Sequence, residues 1–314
     1  MLKIAWRWLA TGIGYLLYGT ALLVVLLWLL FPQETVRRYL EESLGRVCPD
    51  QRWQVGAVAL DLSAGLTIRA IAGSEMGKEN KPLVRIETLT LRPQVIESLR
   101  AGNVQFGYRM VLGKGSVAGL VRLDGGDKRM HLEGTVQDVS LEAIPLLIRR
   151  LGRTVQGVAS GTFTFTGSIA PGKENGIVLE AQVQVDNGRV GLKRPLLGHA
   201  ELPFSRGTVV LHGQGERLQL EQGVVESELF ASRFSGILTV HRDLGLSQLD
   251  VQGSMQPKNK LFSELDNNTL ALQAFRVQLK ENTLPFRISG ELSNPGIHFE
   301  EYSMHIQNLE KELK

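Results

Sequence analysis

The chain has 314 residues, with 35 Lys and Arg against 32 Asp and Glu for a net charge of +3, 34 Gly and 6% aromatic residues. The charges are interspersed rather than gathered into a basic block, which argues against a nucleic-acid partner. The lone cysteine, Cys48, rules out an internal disulfide and thiolate zinc sites, and it reads as a small apolar residue at a helix end.

Residues 8–31 read WLATGIGYLLYGTALLVVLLWLLF and contain no Asp, Glu, Lys, Arg or His. At about 1.5 Å per residue such a helix covers the ~30 Å hydrocarbon core of a bilayer. The stretch is too long and too bulky at its end for a cleaved signal peptide, so residues 1–31 are expected to be a cytoplasmic start and an uncleaved transmembrane helix. Trp8, Trp28 and Phe31 are the candidate membrane anchors, because aromatic rings favour the interface. Lys3 and Arg7 precede the span, which points to the N-terminus inside and the bulk of the chain on the far side.

Pro32 then opens a segment in which Val36, Tyr39, Leu40 and Leu44 recur at helical spacing before Gly45. That pattern predicts a juxtamembrane amphipathic helix within 32–50, one that caps the first sheet or meets a membrane or partner. From Trp53 the period becomes two, which opens a β domain over 51–300 and leaves 301–314 as a C-terminal tail. Val58, Leu60 and Leu62 share a face, and the segment 77–82 reads as a turn. Along Leu83 to Leu91 the apolar set switches parity between Ile86 and Leu89, so a bend is expected near Glu87 and Thr88.

Val95, Ile96 and Leu99 predict about one helical turn closed by Gly102. Strands follow over 104–110, 115–123 and 130–136, with Asp124-Gly-Gly-Asp127 as a hairpin turn. Ser140 to Arg153 predicts a helix with Ser140 as its cap; Pro145 argues for a later start. Arg149, Arg150 and Arg153 gather at its C-terminus, opposite the negative end of the helix dipole. Downstream, Phe163 and Phe165 alternate with threonines, while Leu179, Ala181 and Val183 alternate with Glu180, Gln182 and Gln184. One buried and one wetted face imply an antiparallel sheet. Asp186-Asn187-Gly188 reads as a tight turn, and later strands are expected at 207–211, 217–220, 234–240, 246–251, 270–279 and 286–292.

An apolar-x-Gly-x-apolar pattern recurs around Gly134, Gly236, Gly253 and Gly290, which predicts strands that bend at a similar height. The fold class is therefore mainly β, a long curved antiparallel meander with one or two short helices beyond the anchor. Such a sheet either folds over on itself around a filled middle or leaves a trough; its apolar side chains are small, so a partly open, lipid-sized groove is expected, lined by Phe163, Phe165, Leu179, Ala181, Val183, Leu249, Val251 and Ile288. No nucleophile elbow, phosphate loop or histidine pair at metal spacing occurs, so no catalytic residue, metal or cofactor is assigned.

The span, the short helix, Trp53-Gln-Val-Gly-Ala-Val, Leu89-Thr-Leu-Arg-Pro93, Val155-Gln-Gly-Val-Ala-Ser-Gly-Thr-Phe and Phe286-Arg-Ile-Ser-Gly-Glu-Leu-Ser-Asn-Pro-Gly together resemble type II secretion system protein N. The resemblance covers nearly the whole chain and implies a non-enzymatic accessory of the secretion machine. Such a protein sits in the inner membrane with a periplasmic β domain, and its partners are the membrane and other secretion proteins. More distantly the pattern is similar to AsmA-like proteins, whose curved sheets carry an apolar trough for lipid, which makes phospholipid a further partner.

Overall fold

The computed structural model describes residues 15, 18, 19, 22, 26, 29–47, 51–61, 65–75, 82–126, 129–168, 177–196, 199–241, 243–264, 283–299 and 302–304. Most of the expected span lies outside these residues, with Trp8 and Trp28, as do Cys48, the turn at 77–81, the strand expected at 270–279 and most of the tail. Among the described residues no helix is long and apolar enough to cross a membrane. Tyr15, Tyr18, Leu22, Leu26 and Leu29 are helical and exposed.

The remainder is mainly β. Its strands are β1 (Gln51–Val55), β2 (Val58–Leu60), β3 (Leu66–Glu75), β4 (Pro82–Pro93), β5 (Val104–Leu112), β6 (Gly115–Asp124), β7 (Arg129–Ser140), β8 (Val155–Ser168), β9 (Val178–Leu196), β10 (His199–Gln214), β11 (Arg217–Glu226), β12 (Phe230–Thr239), β13 (Gln248–Pro257), β14 (Leu284–Glu291) and β15 (Asn294–His298). Among the described residues they form one 15-stranded sheet in which β1 and β2 both pair with β3 and every later strand pairs antiparallel with its successor. Local turn chemistry produces this order: Gly126 N–H donates to Asp124 Oδ1 at 3.1 Å between β6 and β7, and Gly215 takes φ 63° between β10 and β11.

Helix α1 (Gln33–Val47) lies along the first strands. Its stripe of Val36, Leu40 and Leu44, preceded by Phe31, packs on a cluster of Val55, Val58, Ile68 and Ile71. Glu41 Oε1 accepts the Val55 N–H at 2.9 Å. The stripe thus caps the sheet, and Phe31, expected as a membrane anchor, packs against the domain. Opposite the bend expected near Glu87 and Thr88, it is Ala70 of β3 that adopts φ 54°, while the register of β4 runs unbroken there and Ile86 and Leu89 pair with Ile71 and Ile68 of that cluster.

Among the described residues the further helices include α2 (Val95–Ala101), α3 (Pro145–Leu151) and α4 (Asn259–Glu264), where one or two were expected. The helix expected over 140–153 is broken. A 3-10 turn spans Leu141–Ala143, Ile144 is non-helical, and Pro145 starts α3 because its missing N–H costs nothing at a first position. Ser140 makes no capping bond; its hydroxyl donates to the Glu142 carboxylate, which this bond holds below the ordinary carboxylate range.

The expected turn at Asp186-Asn187-Gly188 is absent, and β9 runs through it. Asn187 takes φ 51° and the register with β8 slips opposite Gly157, which makes a bulge that bends the strand without reversing it.

Candidate functional site: an apolar trough

Antiparallel register aligns the strands so that one face is apolar from end to end. One row runs Leu60, Leu66, Leu91, Tyr108, Gly119, Gly134, Phe163, Ala181, Leu211, Leu220, Gly236, Val251, Ile288, Ile297. The next runs Pro93, Phe106, Val121, Leu132, Phe165, Leu179, Gly213, Leu218, Leu238, Leu249, Gly290, Pro295. On the other side Leu89, Met110, Val117, Val136, Gly161, Val183, Val209, Gly223 and Phe234 align in the same way. No charged side chain interrupts these rows. All eight residues expected to line a groove therefore share one face.

The sheet curls toward that face. A Cβ on Gly236, Gly119 or Gly161 would lie 2.6, 2.7 or 3.0 Å from the Cα of Val251, Gly134 or Val183 on the next strand, so each following strand is displaced to the apolar side. The recurring glycines do a second job. Phe163, Phe234 and Phe286 each lay a ring on the glycine opposite in register, Gly134, Gly223 and Gly253. Aromatic mass lies flat on the sheet instead of standing up into the space above it.

Burial shows where this face is covered. At one end α1 closes the cluster around Val58 and Ile68. At the other, Leu229, Phe230, Met255, Leu261, Leu284, Phe286, Phe299 and Tyr302 form a buried cluster. Between them Val117, Val121, Leu132, Phe163, Phe165, Leu179, Ala181, Val183, Val209, Leu211, Leu218 and Leu249 are only half-buried. This face is covered at its two ends and half-buried along its middle. Of the eight expected residues, Val251 alone is fully buried.

Helix α3 straps distant parts of the coil together. Arg149 pairs with Glu75 of β3, Arg150 Nη1 meets Asp243 Oδ1 at 2.8 Å beyond β12, and Arg153 Nη2 donates to the carbonyls of Leu292 and Ser293 at 3.1 and 3.4 Å. Burial pulls the Arg153 guanidinium below its ordinary value. Arg149 and Arg150 sit in the last turn of α3 and Arg153 Nε donates to the Leu151 carbonyl at 3.4 Å, as expected at a helix C-terminus, and the three arginines also bind groups 74 to 140 residues away. No local pattern signals such partners.

The opposite face is wet and paired. Arg287 donates to both carboxylate oxygens of Asp250 at 2.9 and 3.0 Å, and Arg206 Nε to Asp186 Oδ1 at 3.0 Å. A hollow of about 390 Å³ there is lined by Thr162, Thr164, Glu180, Gln182 and His212 with the residues between them. Glu180 Oε1 lies 3.6 Å from His212 Nδ1, and among the described residues no three His, Cys, Asp or Glu gather as metal ligands would. Comparison with known proteins adds no relative: no family model, no curated protein and no solved structure matches this chain.

Proposed function

We propose that this chain is a non-enzymatic, membrane-anchored accessory component of a type II protein secretion system, set in the inner membrane with its β domain in the periplasm, and that it holds a phospholipid acyl chain in its trough. The observation that carries the reading is the half-buried middle of an otherwise unbroken apolar face. Leaving such a face in water forgoes about 25 cal/mol for every Å² not covered, which a bound acyl chain recovers. The anchor rests on the charge-free stretch 8–31, and the secretion setting on the resemblance of the ordered motifs. An AsmA-like lipid-transfer role outside any secretion machine is the second reading, favoured by the same trough.

A photo-crosslinking residue at Ala181, inside the trough, and another at Gln182, on the wet face of the same strand, test the lipid claim in cells. Phospholipid adducts at Ala181 and none at Gln182 are expected; equal labelling would overturn it. Deleting the gene and measuring secreted cargo separates the readings, since a secretion accessory is expected to lower export while a stand-alone carrier leaves it intact.

A further inference from the structure

Outside the stretch 15–30, the densest group of exposed large apolar side chains among the described residues belongs to α2 and the start of β5. Val95, Ile96, Leu99 and Val104 are 58, 62, 79 and 50% exposed, and the helix buries none of its residues. It stands on the rim where β4 ends. Leu91 pairs with Leu66, and Leu66 with Leu60, so this is also the rim that β2 reaches. Helix α1 places the end of the expected span there too. Glu41 is fixed at Val55, and the helix starts at Gln33, about 12 Å back along its axis, with Phe31 just before it. β1 and β2 cover a similar distance from Val55 to Leu60 in the opposite direction, at about 3.3 Å per residue.

The charges on this rim suit an anionic surface. Arg92 precedes α2, Arg100 lies in its last turn, and Arg109 stands in register with Thr90 on the wet face beside them; Glu97 of the helix, Asp61 after β2 and Asp124 at the end of β6 are acidic residues on the same rim. An exposed apolar turn ringed by arginines and held beside the exit of a membrane span has the chemistry of an interfacial foot.

We propose that α2 inserts Val95, Ile96 and Leu99 into the surface of the bilayer that residues 8–31 cross, with Arg92, Arg100 and Arg109 on its phosphates, so that the β domain stands on two points rather than hanging from one. This rests on the reading of 8–31 as an anchor.

The test uses the full chain with Cys48→Ser, reconstituted in phosphatidylethanolamine and phosphatidylglycerol vesicles. A polarity-sensitive fluorophore is placed at Leu99→Cys, at Tyr18→Cys within the expected span, or at Ile237→Cys on the wet face. The Leu99 probe is expected to emit to the blue of the Ile237 probe and to be quenched by brominated acyl chains, less than the Tyr18 probe. A quenched Tyr18 probe beside a Leu99 probe that behaves like Ile237 would overturn the foot and leave the anchor standing. A blue-shifted Leu99 probe that brominated lipid does not quench would also overturn it, by showing a protein contact. An unquenched Tyr18 probe would overturn the anchor and the foot together.

Discussion

Truncating Leu179 and Leu284 to alanine, each in its own variant, compares two leucines whose side chains belong to one apolar face under different cover. Leu284 is 0% exposed, enclosed by the cluster that includes Phe230, Met255, Leu261 and Phe286. Its removal leaves a cavity with walls on every side, and core Leu→Ala changes of that kind cost about 2–5 kcal/mol. We expect about 3–4 kcal/mol. Leu179 is half-buried beside Phe165 and Gly213, and faces the proposed trough. Its loss encloses no cavity and forfeits about half of the ~1.5–3 kcal/mol that burying a leucine yields, or roughly 1 kcal/mol. Pulse proteolysis across a urea series, on the chain in phosphatidylcholine nanodiscs, measures both. A Leu179→Ala cost of about 3 kcal/mol, equal to that of Leu284→Ala, would mean that the middle of the sheet is a closed core and that there is no trough.

Face assignment predicts that Leu179→Asp costs about 2–3 kcal/mol while Gln182→Lys, on the wet side of β9, stays within about 0.5 kcal/mol; equal costs by the same proteolysis would reverse the faces. Gly134→Val should destabilise by about 1–3 kcal/mol, because its side chain meets the Tyr108 hydroxyl and the Phe163 ring, and thermal unfolding followed by circular dichroism reads the loss. Arg150→Ala removes a half-exposed ion pair worth about 0.2–1 kcal/mol, so the global midpoint barely moves, whereas hydrogen exchange across 141–153 and 244–246 should quicken; unchanged exchange would remove α3 as a strap. Hydrogen bonds from Gln184 and Arg206 hold Asp186 below the usual carboxylate range, and Arg287 does the same to Asp250. A depressed folded-state value stabilises the fold above the unfolded pKa and loses that contribution as pH falls through the lower one, so the midpoint should stay flat down to about pH 5 and fall below about pH 4. Asp250→Asn, lacking that titration, should show a shallower fall.

The faces of the sheet were legible because alternation at Phe163, Phe165, Leu179, Ala181 and Val183 has a period of two whatever the register. Alignment of those faces into rows required the pairings, and the hairpin at Asp124 made its neighbouring strands predictable. Glycine periodicity at Gly134, Gly236 and Gly253 announced curvature. It did not say that rings of Phe163 and Phe286 would lie on Gly134 and Gly253, since that depends on which strand faces which. Asn187 was misread as a turn because a left-handed Asn before Gly serves a bulge as well as a hairpin, and Gly157 on the neighbouring strand decides between them. The contacts of Arg149, Arg150 and Arg153 were hidden for a simpler reason. Glu75, Asp243 and Leu292 reach α3 only after the sheet has coiled.

The trough itself is tested most directly by what it carries when the anchor is gone. Residues 34–314, purified without detergent from cells, are weighed by native mass spectrometry and their lipid extracted and counted. The account predicts about one phospholipid per chain, lost in Ala181→Trp, whose indole would stand in the row between Phe163 and Leu211. A monodisperse, folded domain without lipid would contradict it.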